Sequence, residues 1–172
     1  MIHPGDAPES RVTISYLADH PEVLGSLAAG FKNQWAAHFE GQPLDAIKMG
    51  FANSCREQGL PLALVAIVGD SFAGTASLRQ ESGSVYPGVG PWLTHLYVEP
   101  QFRNQGIGTS LIRAVEAEAM RNGFSELHAA TTRAAAVFQR AGWMMIEAVD
   151  YQGDLVNVLW KGLQPRTGNG NG

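Results

Sequence analysis

The chain has 172 residues, of which 45% are hydrophobic and 16% are charged, and its formal net charge at pH 7 is −4. This size and composition predict one domain with a sizeable core and exclude an intrinsically disordered chain. The slightly acidic balance argues against nucleic acid as a partner, because phosphate binding requires clustered Lys and Arg. Cys55 is the only cysteine, which excludes an intrachain disulfide and a zinc site built on cysteines, and we predict no metal site.

The two ends of the chain differ in composition from the rest. The first ten residues, "MIHPGDAPES", lack the basic and apolar regions of a signal peptide. No apolar run approaches the ~18 residues that a transmembrane helix requires. We therefore predict a cytoplasmic protein with no membrane partner, organised as an N-terminal arm (1–10), one domain (11–162) and a Gly/Asn-rich disordered tail (163–172).

The first half of the chain predicts one strand, two helices and a pair of strands. The stretch "RVTISYL" alternates as a strand does. Asp19, with Glu22 three residues later, predicts a capping box at the start of an amphipathic helix. A second helix is predicted from Pro43 to about Gln58. "LALVAIV" and "FAGTASLRQ", on either side of Gly69-Asp70, predict two strands joined by a tight turn.

The second half of the chain alternates strands and helices. A loop over 81–91 precedes "WLTHLYV", a nearly continuous apolar run that predicts a buried strand. A helix to about Asn122, the strand "SELHAAT", the short helix "RAAAVFQRA" and the strands "WMMIEAV" and "LVNVLWKG" follow. The order β, α, α, β, β, β, α, β, α, β, β predicts a mixed α/β sheet with helical crossovers in its second part.

The stretch "QFRNQGIGTS" (101–110) lies where the buried strand is followed by a helix. The start of a helix leaves about four N–H groups unpaired and carries a partial positive charge, so it stabilises an anion, and Arg103 can add a charge-assisted contact. A tight turn that merely needs Gly106 and Gly108 is the alternative. A P-loop is excluded because no Lys follows Gly108, and Leu111 stands where a dinucleotide fingerprint has its third glycine.

The longer stretch "LYVEPQFRNQGIGTSLI" resembles the acetyl-CoA signature R-x-x-G-x-G/A of the GNAT superfamily of N-acetyltransferases. The later "AAAVFQRAGW" resembles the short helix of that family, which ends in Gly followed by an aromatic residue. The order of elements is similar to the family fold over roughly residues 11–162. The resemblance implies a GNAT fold, with about seven strands flanked by four helices and a sheet splayed between the fourth and fifth strands, and acetyl-CoA as co-substrate.

The resemblance also implies which residues hold the coenzyme. The pyrophosphate set is Arg103, Asn104, Gln105, Gly106, Ile107, Gly108 and Thr109, acting mainly through backbone amides. Backbone groups of Leu96, Tyr97 and Val98 are implied to bind pantetheine, and the Leu96 N–H is implied to stabilise the oxyanion of the thioester. Arg133 and Phe138 complete the implied coenzyme site.

The implied reaction is direct transfer of the acetyl group to a primary amine of a small molecule. Relatives of this kind are often dimers, so a homodimer is a further expectation. Phe138 departs from the family, because the usual general acid at this position is a Tyr and a phenyl ring has no proton to give. This departure leaves an alternative function, an acyl-CoA-binding sensor or a catalytically impaired module. Five scattered acids favour a cationic amine: Glu40, Asp45, Glu81, Asp150 and Asp154.

The general base is open among residues of the buried strand. Strict alternation places Trp92, Thr94 and Leu96 on one face and His95, Tyr97 and Glu99 on the other. Family bases tend to lie on the first face, which offers only the Thr94 hydroxyl. His95 has a suitable ordinary pKa, although a hydrogen-bonded core histidine is the alternative, and Glu99 begins a turn where a capping role is the alternative. Weaker candidates are His128 and Tyr151, while His38 and Glu40 are candidates for the acceptor site.

Overall fold

A computed structural model describes residues 11–81 and 85–164. These residues form one sheet with the strand order β1-β2-β3-β4-β5-β7-β6. The strands are β1 (Val12–Tyr16), β2 (Leu62–Val68), β3 (Ser71–Arg79), β4 (Trp92–Val98), β5 (Glu126–Thr131), β6 (Met144–Tyr151) and β7 (Asp154–Gly162). The helices are α1 (Leu24–Gln34), α2 (Leu44–Ala52), α3 (Ile107–Arg121) and α4 (Ala135–Arg140). The predicted α/β class and the order of elements are confirmed.

The predicted terminal segments lie mostly outside the described residues. The arm over 1–10 does so entirely, and the tail over 163–172 does so from residue 165 onwards. Leu163 is described and buried, and its N–H donates to the carbonyl of Ser125 at 2.7 Å. The packed part of the chain therefore extends at least one residue beyond the predicted boundary at 162.

The sheet is antiparallel except between β4 and β5. These two strands run parallel, and only two positions pair, Trp92 with His128 and Leu93 with Ala129. Beyond Leu93 the strands have no further register partners in each other, so they diverge. The predicted splay between the fourth and fifth strands is confirmed.

The helices cover the two faces of the sheet. On one face α3 and α4 pack through apolar side chains such as Leu111, Val115 and Phe138 against strand residues. On the other face α1 and α2 pack through side chains such as Leu27 and Phe51. Along β2 and β3, apolar side chains point to both faces of the sheet, so these strands contribute to the core on each face. This is expected of a sheet whose two faces are covered by helices.

The first two helices begin or end differently from the prediction. Asp19 lies in a short 3-10 turn, a second such turn spans Pro21–Val23, and α1 begins only at Leu24 without a side-chain cap. Proline disfavours a helical conformation at the residue before it, so His20 interrupts the predicted capping box. The second helix ends at Ala52 instead of about Gln58. There the chain turns, and the Ser54 carbonyl accepts a hydrogen bond from the N–H of Ala63 at 3.1 Å.

A buried ion pair ties α3 to the closing strands. Glu116, which is 8% exposed, accepts hydrogen bonds from Lys161 Nζ at 2.9 and 3.0 Å and from the Trp143 indole N–H at 2.8 Å. Lys161 also donates to the carbonyl of Ala141, which directly follows α4, at 2.8 Å. Because every buried charge here has partners, the network fixes α4 against α3 and β7.

On the other face of the sheet, the position of α1 is fixed by its close approach to β4. A Cβ built on Gly30 would lie only 2.7–2.8 Å from ring and hydroxyl atoms of Tyr97. The Tyr97 ring is 5% exposed and lies between Phe31 and Trp35, with ring centroids 5.4 and 6.0 Å away. It therefore has little freedom to move aside for a larger residue.

Gly30→Ala is expected to destabilise the protein by about 1–3 kcal/mol, because the added methyl group overpacks the contact with Tyr97. Gly25→Ala is the matched control on the same helix, since no atom lies within 4 Å of its added Cβ. It should stabilise the protein by about 0.5–1 kcal/mol through helix propensity. Urea unfolding measures both values, and equal effects of the two substitutions would contradict the close contact.

Candidate active site

The centre of the site is a β-bulge in β4. Ser77 pairs with Thr94 and Thr75 pairs with Tyr97, so two residues of β4, His95 and Leu96, lie opposite a single residue of β3. His95 adopts a left-handed backbone with φ of 55°, which is uncommon for a residue other than glycine. Neither bulge residue has a register partner in β5 either. Their backbone groups are thus outside both strand ladders.

The bulge makes the prediction of strict alternation along β4 wrong. Leu96 packs with the apolar cluster on the face covered by α3 and α4, while Tyr97 packs with the cluster on the face covered by α1 and α2. The His95 ring lies on the α1–α2 side as well, with centroids 5.7 Å from Phe31 and 5.3 Å from Phe51. Leu93 and Leu96 nevertheless pack with the same cluster, although strict alternation would put residues three apart on opposite faces. The physical reason is that the extra residue shifts the two-residue period by one position.

A cavity of about 780 Å³ passes through the gap where β4 and β5 diverge. One end is formed by the segment from Phe102 to Thr109 and by α4, and the other by aromatic side chains of α1 and of the chain after it. The predicted coenzyme residues that line it are Leu96, Tyr97, Val98, Arg103, Asn104, Gly106, Ile107, Gly108, Thr109, Arg133 and Phe138. Gln105 does not line it, and its side chain donates to the Gln101 carbonyl at 3.3 Å.

The loop before α3 presents bare backbone to this cavity. Asn104 and Gly106 are both left-handed, with φ of 60° and 80°. The first N–H of the helix that reaches a backbone carbonyl is that of Ser110, which donates to Gly106 at 3.0 Å. Within the described part of the chain, the N–H groups of residues 104–109 donate to no protein acceptor. Free N–H groups at a helix start form an anion site.

Arg103 is held against the end of β4. Its Nε donates to the Val98 carbonyl at 2.9 Å, and its guanidinium donates to the side-chain oxygen of Gln34 on α1 at 3.0 Å. Its guanidinium carbon lies 6.0 Å from the centroid of the Tyr97 ring. The Val98 carbonyl is thus occupied by Arg103, whereas the guanidinium keeps further N–H donors that can reach an anion in the cavity.

The His95 ring lines the middle of the cavity and is neutral at physiological pH. Burial lowers its pKa to about 4, and the positive charges of Arg79 and His38 act in the same direction. The Thr94 hydroxyl lies 3.4 Å from the His95 Nδ1. A neutral imidazole in this place is able to accept a proton.

Glu99 does not reach this cavity. It lines a separate groove of about 840 Å³ together with Glu22 and Asp70, on the other side of Tyr97. Burial raises the pKa of the Tyr97 hydroxyl, and the charge of Glu99 and a hydrogen bond to it raise it further. Glu99 thus contacts the site only through Tyr97. The strand ends at Val98, so the next side chain leaves the cavity wall.

The other candidates divide between the cavity and the core. His38 and Tyr151 line the cavity, whereas Glu40 and His128 do not. The His128 ring stacks near Trp92 at 5.2 Å, and its Nδ1 is buried without a partner in the described residues. Phe138 lines the cavity with its edge against Trp143, 5.0 Å between centroids, and is 2% exposed.

Two features of the site escape the sequence patterns. The Thr131 hydroxyl accepts hydrogen bonds from the N–H groups of Arg133 and Ala134 at 3.3 and 2.9 Å, which fixes the turn into α4. A hydroxyl two or three residues before a short helix is the signal that could have revealed it. Trp35 and Phe39 line the cavity although their spacing indicates a core. Aromatic periodicity alone does not separate a core from a pocket wall.

The described residues contain neither a metal-binding cluster nor a membrane-spanning helix. There, no three side chains of His, Cys, Asp or Glu come together as a metal site would require. In residues 11–81 and 85–164, no helix combines the length and hydropathy needed to cross a membrane.

The partly buried His95 makes the stability of the fold dependent on pH. Between pH 6.5 and about 4 the unfolded chain binds a proton at His95 while the folded chain does not, so the free energy of unfolding should fall as the pH falls through this interval. The loss is at most about 3 kcal/mol and is smaller where cavity solvent reaches the ring. His95→Phe keeps a ring between Phe31 and Phe51 and should flatten this dependence in urea unfolding across the interval. Equal slopes in both proteins would contradict a neutral buried His95.

Comparison with known proteins agrees with this geometry. The sequence profile described as the acetyltransferase (GNAT) family matches residues 14–143. No curated protein is significantly similar to the chain. A solved aminoglycoside 6'-N-acetyltransferase from Enterococcus faecium is 15% identical, with a TM-score of 0.69 over 90% of this chain and 98% of that one. A Salmonella typhimurium protein described as an acetyltransferase and solved with acetyl-CoA is 16% identical, with a TM-score of 0.70 over 91% and 96%.

A spermidine N-acetyltransferase from Vibrio cholerae is 12% identical, with a TM-score of 0.68 over 90% of this chain and 95% of that one. At such identities these structures show a shared fold and leave the acceptor of this chain open. The family profile covers three quarters of the sequence, including the strand, loop and helix that build the cavity. The chain belongs to the acetyltransferase (GNAT) family.

Proposed function

We propose that the protein transfers the acetyl group of acetyl-CoA directly to a primary amine of a small molecule. The observation that carries this proposal is the single cavity through the splayed sheet, which joins an anion cradle at one end to an aromatic wall at the other. The β4 bulge lies between the two ends. This arrangement lets a donor and an acceptor meet at the same backbone segment.

The coenzyme end of the cavity fits the chemistry of a pyrophosphate. The free N–H groups of residues 104–109 and the guanidinium of Arg103 are donors to its oxygens. The unpaired edge of β4 beyond Leu93 is available to an extended pantetheine chain, as a missing strand would be. On this placement the thioester lies at the bulge, and the Leu96 N–H is the donor to its carbonyl oxygen.

The reaction then forms one C–N bond and breaks one C–S bond. The amine nitrogen attacks the thioester carbon, and negative charge collects on the carbonyl oxygen next to the Leu96 N–H. The nitrogen gives a proton to the neutral His95 imidazole, which then releases it to solvent. The thiolate of coenzyme A leaves and takes a proton from solvent. The products are the N-acetylated amine and free coenzyme A.

His95 suits this role better than the other candidates. It lines the cavity next to Leu96, whereas Glu99 lines another groove. With a pKa lowered to about 4, His95 is too weak a base to deprotonate an alkylammonium ion whose pKa is near ~10. The amine must therefore enter neutral, and His95 accepts its proton once the attack has made the nitrogen acidic.

Phe138 is the residue that supports the alternative function, an acyl-CoA-binding sensor or a catalytically impaired module. Its ring forms part of the cavity wall but offers no proton to the thiolate. A thiol with a pKa near ~8.5 is a tolerable leaving group without assistance, so the missing hydroxyl slows the reaction without excluding it. Tight acetyl-CoA binding with no turnover of any amine would favour an acyl-CoA sensor instead.

Thiol release from acetyl-CoA with a panel of primary amines tests the proposed function. We expect turnover, with kcat/KM rising about tenfold per pH unit below the pKa of the amine, since only the neutral amine reacts. His95→Gln should lower kcat by about 100-fold or more without weakening acetyl-CoA binding, and Glu99→Gln should change it by less than about threefold. The reverse ranking would assign the proton transfer to Glu99 acting through Tyr97.

Gly108→Ala tests the coenzyme end by itself. A Cβ on Gly108 would lie at ordinary contact distance, 3.6 Å from Val137 and 3.8 Å from Val98, and would occupy the cavity wall. We expect unchanged or higher stability and at least about tenfold weaker acetyl-CoA binding, read as a smaller thermal shift with ligand. Gly50→Ala, on α2 with no atom within 4 Å of its added Cβ, is the control. Equal acetyl-CoA affinity in both variants would place the pyrophosphate elsewhere.

A further inference from the structure

The acceptor end of the cavity is built from aromatic side chains. Phe31, Trp35 and Phe39 line it from α1 and the chain that follows, and Trp92 and Tyr151 line it from the sheet. Phe31 and Trp35 lie 4.7 Å apart between centroids, so they form one continuous surface. A surface of this kind stabilises an apolar or aromatic ligand body by removing it from water.

The charged groups that line the same cavity are cationic. Arg103, Arg133 and Arg140 all belong to its wall. The five carboxylates that the sequence offered as attractors for a cationic amine all lie outside the lining: Glu40, Asp45, Glu81, Asp150 and Asp154. A second positive charge on an acceptor would thus be desolvated against rings, and no carboxylate among the described lining residues would pair with it.

The surroundings that lower the pKa of His95 act on an acceptor in the same way. The imidazole resists a positive charge because it is buried and because Arg79 and His38 add positive potential. An ammonium group next to it would meet the same penalty. Aromatic rings can also attract cations. At the Tyr97 ring that position is taken, because the guanidinium carbon of Arg103 lies 6.0 Å from its centroid.

We infer that the acceptor is a monoamine with an apolar or aromatic body and no second positive charge. This inference rests on the proposed acetyl transfer and specifies its substrate class. It separates the chain from the aminoglycoside and spermidine acetyltransferases that share its fold, whose named substrates carry several amines. The transfer itself is unchanged: the amine nitrogen gains the acetyl group and coenzyme A leaves as the thiol.

Three amines of similar length provide the test: heptylamine, hexane-1,6-diamine and 6-aminohexanoate. They share a reacting primary amine and differ at the far end, which is a methyl, an ammonium or a carboxylate group. With acetyl-CoA and the whole chain, kcat/KM should be at least tenfold higher for heptylamine than for either of the others. A diamine equal to or better than heptylamine overturns the inference, and so does a preference for 6-aminohexanoate.

A negative charge introduced into the cavity wall provides a second test of the inferred acceptor class. His38→Glu adds a carboxylate to the aromatic end and should narrow the ratio of heptylamine to diamine at least threefold. Asn33→Glu adds the same charge on α1 but faces the groove that contains Glu99, so it should leave the ratio unchanged. If His38→Glu leaves the ratio as it is, charge in this wall does not select the acceptor and the inference fails.

Failure of the proposed function has a different signature. If acetyl-CoA stabilises the protein but none of the three amines is turned over, the proposed transfer to such amines is wrong. Calorimetric titration of the same amines into the protein saturated with coenzyme A then decides the inference by binding alone. Tighter binding of heptylamine than of the diamine supports an apolar acceptor pocket, and the opposite order overturns it.

Discussion

The strand β4 is paired with β3 over most of its length, but its other edge meets β5 only through Trp92 and Leu93. This half-paired state is the constraint on which the site depends. A strand held along one edge is fixed in place, while its other edge has free N–H and C=O groups for a ligand. The bulge at His95 and Leu96 adds two residues whose backbone is outside both ladders. The cavity and the reacting position both follow from this one local loss of pairing.

An open gap of this kind needs firm elements on both sides. On one side the Glu116 carboxylate joins Lys161 and Trp143, so that α3, α4 and β7 form one unit. On the other side α1 lies so close to β4 that Tyr97 fits only against a glycine. The two sides use different physics, a fully partnered buried charge and a steric contact. Both hold the walls of the cavity at a fixed separation, which is what a preorganised site requires.

The fold follows from the sequence largely because its signals are local. The apolar run "WLTHLYV" and the glycines after it predict the central strand and the turn into the following helix, and the structure has both at the same residues. The bulge is different, because it is set by how β3 and β4 pair and leaves no mark on a pattern of apolar residues. That is why strict alternation along β4 fails between Leu93 and Leu96. The capping box predicted at Asp19 is absent because Pro21 interrupts the helix start. The proline is visible in the sequence, but the prediction gave more weight to the Asp–Glu spacing.

The candidate site was less predictable than the fold, since its walls come from distant segments. Glu99 and Glu40 look as suitable as His95 and His38 in the sequence, and only the path of the chain separates them. The same holds for Trp35, whose spacing fits a core and whose side chain lines a pocket. Burial and long-range neighbours decide such questions, and neither can be derived from residue order along a single helix or strand.

The close approach of Gly30 to Tyr97 bears on how this chain can change by mutation over generations. Positions of α1 that face solvent, such as Gly25, are open to any good helix former, whereas position 30 admits a side chain only if Tyr97 becomes smaller at the same time. Two simultaneous substitutions are rare, so drift along α1 leaves this point in place. The aromatic end of the cavity therefore keeps its place relative to β4. New acceptor preferences are more accessible through substitutions at positions such as His38 and Phe39 than through a shift of the whole helix.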